Sequence, residues 1–166
     1  KVPVNEKAID LKRYKKKHGV IKSNSGASLI DLQDGVLLLE FHSQSNAIGL
    51  DIIQMLNTAI DELENNAAYK GLVIGNQGKN FCVGANLGMI LMEAQDDNIF
   101  ELDFVIGAFQ KAMRRIKYAA KPVVAAPFQM TLGGGAEVCL PAAHIQASAE
   151  TYIGLVEAGV GVIPGG

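Results

Sequence analysis

The sequence contains 166 residues, of which 49% are hydrophobic and 19% are charged, and its formal net charge is −2. This composition excludes a disordered tail, because such a tail could not bury enough apolar surface to offset the entropy of ordering, and a chain of this length is predicted to form one domain. No apolar run approaches the ~20 residues that cross a bilayer and no signal peptide pattern begins the chain, so the sequence argues against a membrane-spanning or secreted protein.

The first segment is strongly basic. Residues 1–22 hold eight Lys or Arg against two acidic residues, a net of +6, whereas residues 23–166 carry a net of −8. Such a segment could attract phosphate groups, or it could be a solvated linker or helix that leaves an upstream domain. We interpret residues 1–27 as a basic linker from an upstream domain and residues 28–166 as the core, and we predict a flexible joint at residues 22–26.

The ends of the chain indicate a piece of a longer polypeptide. The first residue is Lys1, and the last residues, 163–166, stop within a turn-like stretch. We therefore expect the core to be incomplete at its C-terminus.

The remaining elements alternate between strands and helices. Two apolar runs, 28–32 and 36–41, flank Asp34-Gly35 and predict a β-hairpin. Apolar residues at helical spacing then predict helices over 50–64 and 98–118, and short apolar runs predict strands. The further predicted elements are strands at 71–75, 122–126, 144–147 and 151–153, and a helix that begins at 133–137. This order predicts an α/β (mixed) fold.

Two glutamates stand out in the last third of the chain. Residues 122–166 contain no Lys or Arg, and their only formal charges are Glu137, Glu150 and Glu157. A carboxylate among apolar residues is costly to bury in its ionised form, and two carboxylates that face each other tend to share one proton. Glu137 and Glu157 are therefore candidates for acid–base chemistry, although a surface position would suit each residue alone, and Glu150 is assigned to the surface.

Two glycine-containing stretches are candidate anion sites. Gly133-Gly134-Gly135 precedes a predicted helix, where unpaired N–H groups can hold a phosphate or a developing oxyanion. A tight strand-to-helix turn would explain the same glycines. The stretch 81–87 contains a second glycine turn, which is weak by itself.

Several other chemistries lack their motifs. The sequence has no phosphate-binding Gly-x-x-x-x-Gly-Lys-[Ser/Thr] loop and no complete dinucleotide fingerprint. Its three histidines do not show metal-ligand spacing, so no metal is predicted. Cys82 and Cys139 are too few for a disulfide scaffold and are interpreted as small buried residues in a reducing, cytoplasmic protein.

Four motifs together resemble the crotonase (enoyl-CoA hydratase/isomerase) superfamily. They occur in family order from about residue 28 to residue 166. They are Ser45-Asn46-Ala47-Ile48, Phe81-Cys82-Val83-Gly84-Ala85-Asn86-Leu87, Pro122–Pro127 with Leu132–Glu137, and Tyr152–Glu157 with Gly161–Gly166. Asn86 stands where the family usually has Asp, and Phe128-Gln129 replaces a usual Asn-Gly.

The resemblance implies a fold, a reaction and a site. The fold would be a superhelix of repeated β-β-α units, and the reaction would be hydration of a trans-2-enoyl-CoA to a 3-hydroxyacyl-CoA in fatty-acid β-oxidation. Glu137 and Glu157 would be catalytic, and the backbone amides of Ala85 and Gly134 would form the oxyanion hole. Coenzyme A would be bound, as part of the substrate, by backbone near a group of residues: Ala47, Val83, Gly84, Ala85 and Asn86.

The resemblance also implies a context. A crotonase domain that follows such a basic linker is similar to the C-terminal part of bacterial multifunctional 3-hydroxyacyl-CoA dehydrogenases, whose NAD site would lie in an upstream domain. The intact protein would then be a trimer-based homo-oligomer. Because the basic segment lacks interleaved aromatic residues and the chain has no bilayer-length apolar run, neither nucleic acid nor a membrane is predicted as a partner. Two alternatives remain open, an isomerase on the same fold and a non-catalytic acyl-CoA-binding or assembly module.

Overall fold

The computed structural model describes residues 8–166, with only the backbone at positions 87, 89, 90 and 93. The helices are α1 (Leu11–His18), α2 (Leu50–Asn65), α3 (Leu87–Gln95), α4 (Ile99–Lys117) and α5 (Gly134–Cys139). The strands are β1 (Lys22–Ser23), β2 (Ala27–Asp31), β3 (Val36–Phe41), β4 (Gly71–Gly75), β5 (Val123–Ala125), β6 (Gln129–Leu132), β7 (His144–Ile145) and β8 (Thr151–Gly154). Short 3-10 turns occupy Gln44–Asn46 and Glu157–Val160.

Two sheets organise these elements. The larger sheet has the order β1-β2-β3-β4-β5-β7, and β6 pairs with β8 in the smaller one. The pairs β3–β4, β4–β5 and β5–β7 are parallel, and helices connect their strands. The predicted mixed α/β class is therefore confirmed. Because β3, β4 and β5 are parallel, the loops that follow them leave from the same edge of the sheet.

The predicted hairpin is confirmed. Strands β2 and β3 pair antiparallel, with Ala27 opposite Phe41 and Asp31 opposite Leu37. The turn between them has positive φ at Gln33, Asp34 and Gly35, a conformation that Asp and Gly tolerate better than most residues. The local turn chemistry thus fixes the register of the first two long strands.

The two faces of the larger sheet are covered by different helices. Alternate residues of β3, Leu37 and Leu39, belong to the main buried cluster with apolar residues of α2 and α4. Leu38 points to the opposite face, where it packs with Ile30 and with Leu11 of α1. The period of two along a strand therefore places adjacent apolar residues in separate parts of the core.

The segment before β2 differs from the sequence prediction. The predicted flexible joint at residues 22–26 is wrong, since β1 pairs with β2 and the Asn24 side chain accepts hydrogen bonds from the amides of Gly26 and Ala27. Helix α1 packs on the sheet through Leu11, so the folded unit begins before residue 28. The role of residues 1–27 as a connection to an upstream domain stays a prediction, and residues 1–7 lie outside the described part of the chain.

Helix α3 and strand β6 were not predicted from the sequence. Strand β6 has only four residues and begins at Gln129, whose φ is +48°, so its pattern is too short to recognise. Within residues 8–166, no helix combines the length and the apolar composition that a bilayer span requires.

Candidate active site

The loop after β3 and the loop after β4 run side by side. The Ile48 amide donates to the Gly84 carbonyl at 2.9 Å, and the Asn86 amide donates to the Ile48 carbonyl at 3.0 Å, which makes an isolated parallel bridge between Ile48 and Ala85. The buried Asn46 side chain adds a hydrogen bond to the Asn80 carbonyl at 2.9 Å. The fold thereby joins two of the four sequence motifs.

A third stretch packs beside these two. A second parallel bridge links Cys82 to Thr131 in β6, and the Leu132 amide donates to the Cys82 carbonyl at 2.9 Å. This register brings Gly134 next to Ala85, so that a Cβ added to Gly134 would lie 3.5 Å from the Ala85 nitrogen. The glycine at 134 therefore permits a close approach of two backbone segments.

The amides of Ala85 and Gly134 are both available to a ligand. Among the described residues, neither amide donates a hydrogen bond to another group. Gly134 is the first residue of α5, where an amide has no partner within the helix. Two adjacent backbone donors without acceptors can bind an oxyanion or a polarised carbonyl oxygen. The structure thus brings together the two residues that the resemblance assigned to an oxyanion hole.

The Glu157 side chain lies against Gly133, the residue that precedes the Gly134 amide. Glu157 begins the 3-10 turn after β8, and a Cβ added to Gly133 would lie 2.9 Å from its Oε1. Its Oε2 is buried and has no hydrogen-bond partner among residues 8–166. Buried polar atoms usually have a partner, so this unpaired carboxylate oxygen is suited to a polar ligand.

Glu137 lies one turn along α5 from Gly133. Its amide donates to the Gly133 carbonyl at 3.0 Å, and the residue is only 7% exposed. Its Oε1 accepts a hydrogen bond from the Gly166 amide at 2.7 Å. Both glutamates therefore lie at the first turn of α5, with Glu137 inside the helix and the Glu157 side chain against Gly133. The convergence of the two carboxyl groups on one water stays a prediction.

Helix α4 supplies basic side chains near Glu137. An open groove of about 420 Å³ is lined by Glu137 and by Arg114 and Lys117. The sequence window around Glu137 has no basic residue of its own, so these cations come from a distant part of the chain. Two positive charges therefore border the same groove as Glu137.

The residues predicted to bind coenzyme A line the two paired loops. Ala85 and Asn86 are exposed, Ala47 and Val83 are half-buried, and Gly84 is buried. The Ala47 carbonyl accepts a hydrogen bond from the Ser43 hydroxyl at 2.8 Å. The structure therefore brings these five residues together, and their contact with coenzyme A stays a prediction.

The two cysteines do not offer a nucleophile. Both are fully buried, and desolvation raises the pKa of Cys82 and of Cys139 to about 12. A thiol with such a pKa is almost entirely protonated at neutral pH and is a poor nucleophile. The prediction of small buried cysteines is confirmed.

Sequence reasoning missed two partners of the glutamates. The Gly166 amide lies 29 positions from Glu137, and Gly133 lies 24 positions from Glu157. Such pairings depend on how successive turns of the chain stack. The one sequence signal for these contacts was the glycine content of the motifs that contain Gly133 and Gly166.

Comparison with known proteins gives consistent matches. Residues 31–166 match the family model described as enoyl-CoA hydratase/isomerase. A probable 3-hydroxyacyl-CoA dehydrogenase of Bacillus subtilis (strain 168) is 70% identical over 165 residues, which cover 99% of this chain and 21% of that protein. A short-chain-enoyl-CoA hydratase of Clostridium acetobutylicum is 30% identical over 121 residues, which cover 72% of this chain and 45% of that one. The chain thus spans about a fifth to a half of the length of these relatives.

Solved structures share the fold. The crystal structure of an enoyl-CoA hydratase from Bacillus anthracis superposes with a TM-score of 0.74 at 23% identity, covering 84% of this chain and 54% of that one. An enoyl-CoA hydratase from Polaromonas sp. JS666 gives the same TM-score at 22% identity, covering 87% of this chain and 54% of that one. The predicted crotonase-like fold is confirmed by these similarities.

Proposed function

This chain belongs to the enoyl-CoA hydratase/isomerase family, and from that premise we propose that it hydrates trans-2-enoyl-CoA to 3-hydroxyacyl-CoA in fatty-acid β-oxidation. The observation that carries the proposal is the Glu157 carboxylate, whose Oε2 is buried and unpaired among the described residues and whose Oε1 lies against Gly133, the residue before Gly134. A hydratase needs this combination, because water must attack an acyl group whose carbonyl is polarised at the same time.

The amide pair would stabilise the charge that develops in the reaction. In the proposed mechanism the thioester oxygen accepts hydrogen bonds from the amides of Ala85 and Gly134. When the water oxygen bonds to the β-carbon, the π electrons move toward the carbonyl, and the two donors stabilise the resulting enolate. The loss of one such donor typically raises the barrier by about 3–4 kcal/mol.

The two glutamates would move the protons. As the new C–O bond forms at the β-carbon and the C2–C3 π bond breaks, one carboxylate accepts a proton from the water. The other glutamate, in its protonated form, delivers a proton to the α-carbon, so that one water is added in total. A shared proton would let Glu137 and Glu157 act as this pair.

Glutamine substitutions in the full-length protein test this assignment. We expect Glu137→Gln and Glu157→Gln each to lower kcat by about 100-fold or more, since glutamine cannot transfer a proton. Calorimetric affinity for the acyl-CoA should remain close to that of the wild type. The measurement is the loss of absorbance of the conjugated enoyl thioester, and Glu150→Gln is a matched control because Glu150 is an exposed glutamate without an assigned role.

The outcomes separate this proposal from its alternatives. Near-wild-type turnover in either variant would remove that glutamate from the mechanism. Conversion of a 3-enoyl-CoA to the conjugated 2-enoyl-CoA without hydration would instead identify an isomerase. Binding of acyl-CoA by the wild-type protein without any turnover would identify a non-catalytic module.

The proposal extends to the longer protein. We propose that the longer protein is a multifunctional cytoplasmic enzyme in which an NAD-dependent 3-hydroxyacyl-CoA dehydrogenase oxidises the hydratase product, and the name of the B. subtilis relative, a probable 3-hydroxyacyl-CoA dehydrogenase, supports the dehydrogenase part. Adding enoyl-CoA and NAD to the full-length protein should then produce NADH, and Glu157→Gln should abolish this signal while leaving oxidation of added 3-hydroxyacyl-CoA intact. Light scattering should show a trimer-based homo-oligomer.

A further inference from the structure

The two proposed oxyanion donors are held by different parts of the chain. In a trans peptide the C=O and N–H bonds point in opposite directions, so a partner of the preceding carbonyl also fixes the direction of the amide. The Gly134 amide is fixed within one helix, because the Gly133 carbonyl accepts a hydrogen bond from the Glu137 amide at 3.0 Å. The Ala85 amide depends instead on a second loop.

That second loop is the one that follows β3, and the contact is made by Ile48. The Gly84 carbonyl, which shares a trans peptide unit with the Ala85 amide, accepts a hydrogen bond from the Ile48 amide at 2.9 Å. The Ile48 carbonyl accepts one from the Asn86 amide at 3.0 Å, so Ile48 is bonded on both sides of Ala85. A shift of Ile48 would therefore turn the Ala85 amide away from a bound carbonyl oxygen.

The side chain of Asn46 holds the loop that carries Ile48. Asn46 is 7% exposed, and its Nδ2 donates to the Asn80 carbonyl at 2.9 Å across 34 positions of the sequence. Only Ala47 separates Asn46 from Ile48. The loops after β3 and β4 are thus joined at two nearby points, first through a side chain and then through backbone.

Both loops are shaped for this side-chain contact. Asn46 has a φ of +54°, which asparagine, aspartate and glycine tolerate better than most residues. A Cβ added to Gly78 would lie 3.1 Å from the Asn46 Nδ2 and 3.1 Å from the Asn76 Oδ1, so this glycine leaves room for the amide group. The Asn76 side chain donates to the Phe81 carbonyl at 2.9 Å and closes the turn that presents Asn80.

We infer that Asn46 is a positioning residue for the oxyanion hole. Its hydrogen bond to the Asn80 carbonyl holds Ile48 in place, and Ile48 directs the Ala85 amide toward the thioester oxygen. The inference rests on the proposed function and adds to it a side chain that acts through the backbone. A backbone donor cannot be deleted by substitution, so Asn46 offers a way to displace one of the two donors by mutagenesis.

Asn46→Asp in the full-length protein tests the inference. Aspartate keeps the shape of the side chain and tolerates the positive φ, but its carboxylate cannot donate to a carbonyl. We expect kcat for hydration to fall by about 10-fold or more and KM to stay within about 2-fold, because oxyanion donors act mainly on the transition state. Asn46→Gly removes the donor without adding charge and should give the same result, and it serves alone if the aspartate variant does not fold.

Spectroscopy of a bound ligand separates positioning from a general loss of structure. Cinnamoyl-CoA is a suitable probe, because conjugation with its ring disfavours hydration and its absorbance moves to longer wavelength when its carbonyl accepts hydrogen bonds. At saturating probe, we expect this shift to be smaller by about half or more in both Asn46 variants than in the wild type, since one of two donors is displaced.

Asn24→Asp is the matched control. The Asn24 Nδ2 also donates to a distant backbone carbonyl, that of Asp51, at 2.7 Å. Asn24 lies between β1 and β2, outside the loops that carry the two amides, so its substitution should leave kcat and the absorbance shift at their wild-type values. A wild-type shift in the Asn46 variants would overturn the inference, and so would a rise in KM with unchanged kcat.

The absorbance measurement requires no turnover, so the inference and the proposed function can fail separately. A shift that is present in the wild type and reduced in the Asn46 variants supports the inference even if enoyl-CoA is not hydrated, a result that would count against the proposed function alone. Hydration with equal kcat in the wild type and the Asn46 variants would overturn the inference alone.

Discussion

Gly133 holds a position that no other residue can take without strain. Its φ is +53° and its ψ is −122°, a backbone conformation that L side chains rarely adopt. It precedes the Gly134 amide, and a Cβ on it would lie 2.9 Å from Glu157 Oε1. One residue therefore controls the direction of a proposed oxyanion donor and the space for a proposed catalytic carboxylate.

Gly133→Ala should consequently impair activity more than folding. We expect kcat for hydration to fall by about 10- to 100-fold, because small displacements of reacting groups are costly, and stability to fall by about 1–2 kcal/mol from the positive φ. Turnover and urea denaturation would be measured on the same samples. Gly159→Ala is the control, since nothing lies within 4 Å of its added Cβ, and equal kcat values in the two variants would refute the role of Gly133.

At the level of the elements, local signals predicted the long segments and missed those that depend on packing. Asp34-Gly35 predicted the first hairpin, and apolar spacing predicted α2 and α4 to within about one residue at each end. Helix α1 has eight residues, too few for an isolated helix to be stable in water. It forms because Leu11 is buried against Ile30 and Leu38, a contact that the sequence of the segment alone does not specify.

Leu11→Ala therefore tests whether α1 is an integral part of the domain. We expect the free energy of unfolding to decrease by about 2 kcal/mol, the low end for a leucine truncation because the cluster is small. Amide hydrogen exchange in α1 should accelerate. Lys16→Ala, an exposed change in the same helix, should have little effect on either quantity. Unchanged exchange in the Leu11 variant would show that α1 is held in some other way.

For the whole molecule, the candidate site depends on stacking of distant segments. The motifs identified Ala85, Gly134 and the two glutamates through a family resemblance, and the bridges Ile48–Ala85 and Cys82–Thr131 show the register that aligns three of the motifs. That register could not be predicted, because it is set by long-range pairing of very short strands.

The alignment of these segments can be tested with a double-mutant cycle. A Cβ on Gly134 would lie 3.2 Å from Ile48 Cδ1, so Gly134→Ala should push the loops apart and lower kcat/KM for enoyl-CoA about 10- to 100-fold. Ile48→Val removes that methyl group and should cost only about 1 kcal/mol of stability by itself. In the double variant, kcat/KM should recover at least severalfold relative to Gly134→Ala, because the added methyl group then has room. Contacting residues commonly show coupling energies of about 0.5–3 kcal/mol, whereas strictly additive effects would mean that the Gly134 amide is not positioned through its contact with Ile48.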